Sequence, residues 1–181
     1  MYGPSGTGFL YGRAEWLERM ESSEGGSDMA QSVTFTDWQP KPLPQKFEAG
    51  TPAITETVAL GTALDYMNGI GMERIKAYEQ ALVGYATQQL AAIDRVQVLG
   101  AGTDRVSIVS FVIDGLEPHQ VGQFLDQEAG IATRFGQLSC QPLIKFLGIP
   151  GAVRASFSFY NTRDEIDRLA EAMALCVQQQ G

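Results

Sequence analysis

Histidine is nearly missing from this chain: His119 is the only one in 181 residues. It falls at the start of a predicted helix, directly after Pro118, with no cysteine or carboxylate cluster at metal-ligand spacing, so no metal centre is expected. Positive charge is scarce as well. Against 21 Asp and Glu stand 13 Lys and Arg, a formal net charge of -8. That balance argues against nucleic acid as a partner, whose affinity rests on cations neutralising phosphates. Cysteine occurs twice, as Cys140 and Cys176, far apart and without an export signal, so a structural disulfide is not expected. No apolar run approaches the roughly 18 residues that span a bilayer. The N-terminus has neither the basic region nor the apolar stretch of a signal peptide, so the expectation is a cytoplasmic protein with no membrane partner. The run from Gly3 to Gly12 lacks the Gly-Lys-Ser/Thr of a phosphate loop and reads as a turn entering a strand. Internal repeats are absent, and the only biased tract, Gln178 to Gln180, reads as a frayed tail.

What is present suits a folded domain: 44% of the residues are hydrophobic, enough to furnish a core. The first forty-odd residues are rich in Gly, Ser and Pro, with short apolar pieces at Phe9 to Tyr11 and Val33 to Phe35 that read as two strands. From Thr51 the spacing turns helical, with Ile54, Val58, Ala63, Leu64 and Met67 on one stripe until Gly69-Ile70-Gly71. A second helix follows over about Met72 to Ala92. Val96 to Leu99 and Val106 to Ile113 read as strands. The second is apolar on both faces, which predicts an interior strand covered by helices. Glu117-Pro118 opens a helix that Gly130 ends. Then come a short strand at Ile131 to Thr133, a loop from Gly136 to Pro142, a short helix to Leu147 and a strand at Val153 to Phe159. The last helix is capped by Asn161 or Thr162 and buries Ile166, Leu169, Ala170, Met173 and Val177, with Cys176 at the edge of the core. The order predicts an α+β domain, helices packed on a small, mostly antiparallel sheet.

Three segments carry chemistry. Gly3-Pro4-Ser5-Gly6-Thr7-Gly8-Phe9-Leu10-Tyr11 opens the chain, Phe47-Glu48-Ala49-Gly50-Thr51-Pro52 precedes the first long helix, and Arg154-Ala155-Ser156 is followed by Tyr160-Asn161-Thr162. In this order they resemble the C-terminal part of class V, fold-type I pyridoxal-phosphate enzymes, group II of the cysteine desulfurase and selenocysteine lyase family. The resemblance implies the small C-terminal domain of that fold at residues 51–181. Residues 1–50 would then be a remnant of the large, cofactor-binding domain, two strands and loops. Met1 would stand immediately after the family's cofactor lysine, leaving that lysine outside the chain. The resemblance further implies that Arg154 clamps the substrate carboxylate, a task for which a planar guanidinium offers two parallel hydrogen bonds. Arg134 joins it as a substrate-binding residue, and Thr51 reaches a cofactor phosphate across a dimer. Arg154 also admits a plainer reading, an ion pair with one of the many carboxylates.

The departure from the family lies in one loop. Group II enzymes resemble Arg-x-Gly-His-His-Cys-Ala-x-Pro-Leu, whereas this chain has Arg134-Phe135-Gly136-Gln137-Leu138-Ser139-Cys140-Gln141-Pro142-Leu143. Ser139 stands where the persulfide-forming cysteine is expected, and a hydroxyl cannot form a persulfide. Cys140 takes the neighbouring position and reads as an ordinary loop thiol unless the loop slides by one residue. Pyridoxal chemistry also needs a lysine amine, a carboxylate at the ring nitrogen, a stacking group and phosphate donors. Lys41, Lys46, Lys76 and Lys145 lie outside the family's cofactor motif. The expectation is a truncated desulfurase-like domain without turnover of its own and without cofactor in isolation, binding pyridoxal phosphate only if complemented by the missing half. The alternatives are one half of a split enzyme with a lysine-bearing companion chain, and a sulfur-transfer or interaction module using Cys140. Unpaired strands in the first forty residues predict a homodimer or higher oligomer.

Overall fold

A computed structural model describes residues 2–100, 102 and 105–180; Met1, expected beside the cofactor lysine's position, lies outside them. The chain divides into two compact units, residues 1–71 and 72–181.

In the first unit, helix α1 (Ala14–Arg19) buries no side chain. Strand β1 (Ala30–Val33) pairs antiparallel with β2 (Trp38–Pro40). Between them the Thr34 hydroxyl accepts the Asp37 amide at 3.0 Å, so the chain turns after Val33 and the strand expected at Val33 to Phe35 stops there. Phe9 to Tyr11, expected as a strand, is irregular and exposed. Lys46, in a single 3-10 turn over Gln45–Phe47, donates from Nζ to the carbonyls of Leu17 (3.3 Å) and Glu18 (2.9 Å) at the end of α1. Helix α2 (Ile54–Ile70) has the predicted extent, yet Met67 is the one residue of its stripe that is buried.

The second unit holds a four-stranded sheet in the order β3-β4-β6-β5, formed by β3 (Val96–Leu99), β4 (Ile108–Ile113), β5 (Arg134–Gly136) and β6 (Ala152–Ser156). Every neighbouring pair is antiparallel. The helices are α3 (Met72–Ala91), α4 (Pro118–Ala129), α5 (Gln141–Leu147) and α6 (Arg163–Gln180). Helices α3, α4 and α6 share one core with the sheet. Leu82, Ala86 and Leu90 of α3, Val121 and Leu125 of α4, and Ile166, Leu169 and Met173 of α6 meet Val109, Phe111 and Ile113 of β4 and Val153 of β6. Each fully buried Leu, Ile or Phe contributes roughly 1.5–3 kcal/mol.

Strand β4 alternates: Val109, Phe111 and Ile113 are buried, while Ile108, Ser110 and Val112 are half-exposed. It is interior in the sheet, as expected, but this core covers only one of its faces. Helix α4 begins at Pro118 and ends on Gly130, whose φ of +63° is costly for other residues. Helix α6 has Thr162 as its cap: the Glu165 amide donates to Thr162 Oγ1 at 3.3 Å and the Thr162 amide donates to Glu165 Oε2 at 2.8 Å. This helix continues to Gln180, where the sequence suggested a frayed tail.

Candidate functional site

Strand β5 occupies Arg134–Gly136, three residues later than expected. Its register with β6 puts Arg134 opposite Arg154 and Gly136 opposite Ala152. Arg154 in turn faces Ser110 of β4, and Ser110 faces Leu99 of β3. Leu99, Ser110, Arg154 and Arg134 therefore form one row across the sheet, on the face turned away from Val109, Phe111 and Val153.

Two guanidinium residues directly opposite one another on adjacent strands, with Cβ atoms about 4.5–5.5 Å apart, repel. Nothing in the described residues relieves that repulsion: the one side-chain ion pair among them joins Arg13 to Glu15, so the reading of Arg154 as one half of an ion pair is not met. Arg154 Nε is buried and has no hydrogen-bond partner. An unsatisfied buried donor costs on the order of 1–3 kcal/mol, more when charged. A carboxylate laid along the row would satisfy Nε and offset the repulsion together.

The loop after β5 is tightly wound. Leu138 and Ser139 have φ of 53° and 57°, a left-handed conformation that non-glycine residues rarely adopt, and Gly136 has φ of 95°. Gln137 is the knot: its carbonyl accepts the Cys140 amide at 2.9 Å and the Cys140 thiol at 3.3 Å, and its side chain accepts from Gln141 at 2.6 Å. Ser139 is exposed and Cys140 half-buried, with its S–H directed back into the loop. Nothing in the sequence marked Gln137 as the residue that ties this turn. Cys176 is fully buried in the core, and burial pushes its thiol pKa up.

The Tyr160-Asn161-Thr162 part of the third motif does structural work. Asn161 accepts the Ser158 amide at 2.8 Å through its side chain, and its carbonyl accepts the Tyr78 hydroxyl at 2.8 Å. Thr51 lies in the first unit, exposed, after Gly50 (φ +83°), whose amide donates to the Ser27 carbonyl at 2.9 Å. His119 is exposed, and no group of three or more His, Cys, Asp or Glu among the described residues could hold a metal ion.

Residues 1–169 match the family model described as Aminotransferase class-V. The chain belongs to this family. It is 45% identical over 174 residues to a "Probable cysteine desulfurase" of Halobacterium salinarum, covering 96% of this chain and 42% of that protein. Against one of the same name from Streptomyces coelicolor it is 42% identical, with the same two coverages. Among solved structures, the cysteine desulfurase CsdA from Escherichia coli superposes with a TM-score of 0.91 at 33% identity, over 98% of this chain and 44% of that one. A cysteine desulfurase from Thermococcus onnurineus NA1 gives 0.91 at 34%, over 97% and 44%. The chain thus spans less than half the length of the relatives it matches, a desulfurase-like region covering their fold in part. The α+β architecture with small antiparallel sheets is theirs as well. Neither the two-chain reading nor sulfur transfer by Cys140 is favoured by these likenesses.

The residues present do not fit pyridoxal phosphate as a whole. Lys46 is committed to the end of α1, Lys41 is half-buried, and Lys76 and Lys145 are exposed. Of the four, Lys76 lines a hollow of about 420 Å³ together with Glu79. That carboxylate already accepts the Ser107 hydroxyl, and no aromatic ring lines the hollow to stack on a pyridine. Thr51 offers one hydroxyl to a phosphate. No cofactor step follows from this residue set.

Proposed function

We propose that this polypeptide is the substrate-carboxylate side of a desulfurase-like site, with Arg154 and Arg134 gripping an amino-acid carboxylate and without independent turnover. The observation that carries the reading is the buried, unpartnered Nε of Arg154 facing Arg134 across two strands. A guanidinium left without a counter-ion in that setting is matched by a planar anion able to take two parallel hydrogen bonds. Thr51 keeps the role of a phosphate contact in this reading. Ser139 keeps that of a degenerate position, with the Cys140 sulfur bonded back to the Gln137 carbonyl. The domain boundary between residues 50 and 51, a homodimer, a cytoplasmic location and the absence of a nucleic-acid partner belong to the same proposal. No helix among the described residues is long and apolar enough to cross a membrane.

Titration with L-alanine followed by NMR is the test. The Arg154 Nε resonance is expected to shift saturably, and Arg154→Lys, which keeps the charge but loses the fork, to weaken binding about tenfold. An unchanged affinity in that variant would remove Arg154 from the site. Incubation with pyridoxal phosphate and L-cysteine is expected to give no absorption change beyond that of the same mixture without protein, and no sulfide; release of sulfide or alanine by the purified chain would overturn the claim of no turnover.

A further inference from the structure

The row of Arg134 and Arg154 exists only while β5 keeps its register, and β5 is a three-residue edge strand that pairs on one side alone. A slip of one residue would turn Arg134 to the helix side and bring Phe135 outward, because side chains alternate between faces. Two observations show what opposes the slip. A Cβ built on Gly122 of α4 would lie 1.9 Å from Phe135 Cδ1 and 2.4 Å from its Cγ, so the Phe135 ring occupies the space a side chain at 122 would take. One turn earlier on α4, the His119 ring stands edge-on to Phe135, centroids 5.2 Å apart and planes at 81°. The ring is thus received between two residues three apart on one helix face. The other end of β5 is also closely approached: a Cβ on Gly151 would lie 2.7 Å from the Gly136 carbonyl oxygen.

We infer that Phe135, seated in the gap left by Gly122, is the positioning residue that fixes the β5 register and so aims Arg134 alongside Arg154. This deepening rests on the carboxylate-site reading. Neither Phe135 nor Gly122 reaches the row itself; they act through the strand. Any side chain at 122 competes with the ring for the same volume, so the two positions are coupled in size.

The test is a size-exchange series on the full chain: Gly122→Ala, Phe135→Val, and the two combined, each read by NMR in two ways. Register is read from cross-strand contacts between Arg134 and Arg154, and function from L-alanine titration at the two Arg Nε signals. In the wild type both signals shift together. Gly122→Ala is expected to lose the Arg134–Arg154 contact and to bind about tenfold more weakly, with the Arg154 signal alone still responding, as for one charge-assisted hydrogen bond lost. The combined variant is expected to recover contact and affinity, a rescue that general destabilisation does not produce. Should Gly122→Ala fail to fold, Phe135→Val leaves a hole in place of a clash and is expected to loosen the register and weaken binding by several-fold. Wild-type register and affinity in the single variants, or no recovery in the combined one, would overturn the positioning role while leaving the carboxylate site standing. Absence of L-alanine binding in the wild type would overturn both.

Discussion

Residues 72–181 and residues 1–71 use their apolar side chains in opposite ways. In the second unit Phe111, Leu82, Leu90, Leu125, Ile166 and Met173 are almost entirely removed from water and touch one another through a single cluster. In the first, the buried hydrophobic residues among those described are Met29 and Met67, while Tyr11 is 84% exposed, Val33 72% and Phe35 109%. Composition does not separate the two, since both are rich in large apolar residues. What differs is whether strand alternation and helix stripe have a facing layer. The β1–β2 hairpin buries neither face and the apolar residues of α2 are spread round the helix, whereas a two-stranded hairpin is marginal alone and helical stability comes mostly from packing of one face. A homodimer of the kind proposed above would supply a surface for these exposed side chains.

That contrast breaks most sharply under core truncation. Phe111→Ala is expected to cost about 3–5 kcal/mol in urea denaturation, through lost transfer energy and a cavity between β4 and the helices. Phe35→Ala, with nothing packed around it to lose, is expected to move unfolding by less than about 0.5 kcal/mol. A comparable loss from Phe35→Ala would mean that the hairpin is already covered. The second effect concerns association. If copies meet through the exposed faces of the first unit, Phe35→Asp is expected to raise the dimer dissociation constant at least about tenfold in sedimentation velocity, the loss of one buried aromatic contact. A wild-type chain that stays monomeric at micromolar concentration would count against the proposed dimer.

How much of this was legible beforehand depends on whether the signal was local. Pro118 and Gly130 bracket α4 as read, because proline at a first turn and glycine at a left-handed end act through their own backbone. Thr162, one of the two caps read for α6, likewise starts that helix. Helix α1 escaped, since six residues without a buried face have no period to detect. The strand at 131–133 was misplaced for a different reason. Ile131 to Thr133 has the β-branched character of a strand, but the pairing partner of β6 is chosen by Phe135 fitting over Gly122, a contact between residues 13 apart in sequence. The motifs named Arg134 and Arg154 separately. That they face each other is a fact of register, and no local pattern contains it. The loop's departure from the family was visible residue by residue, whereas the Gln137 knot that turns the Cys140 thiol inward appears only in three dimensions.

The smallest expected effect sharpens the same comparison at the helix ends. Helix α6 starts on a reciprocal cap, Thr162 with Glu165, whereas α2 starts on Ala53 with no side-chain cap at all. Thr162→Ala is expected to cost about 1 kcal/mol, and Ala53→Ser to stabilise by less, because the helix it caps has little packing behind it. The α6 cap also carries a pH signature. The backbone amide of Thr162, and next the Asn161 side chain, donate to the Glu165 carboxylate and hold its pKa below the ordinary value. A carboxyl group lowered in the folded state binds its proton more readily when unfolded. Its contribution is therefore complete above the unfolded pKa and fades as the pH falls through the lower folded value. Thermal melts of wild type and Glu165→Gln are expected to differ at neutral pH, with the wild type higher, and to converge in acid below the ordinary carboxylate range. Because Glu165 is exposed, the gap is expected to be small and to shrink with added salt. A gap that instead persisted undiminished into acid would mean that the shape of the glutamate, not its charge, closes the cap.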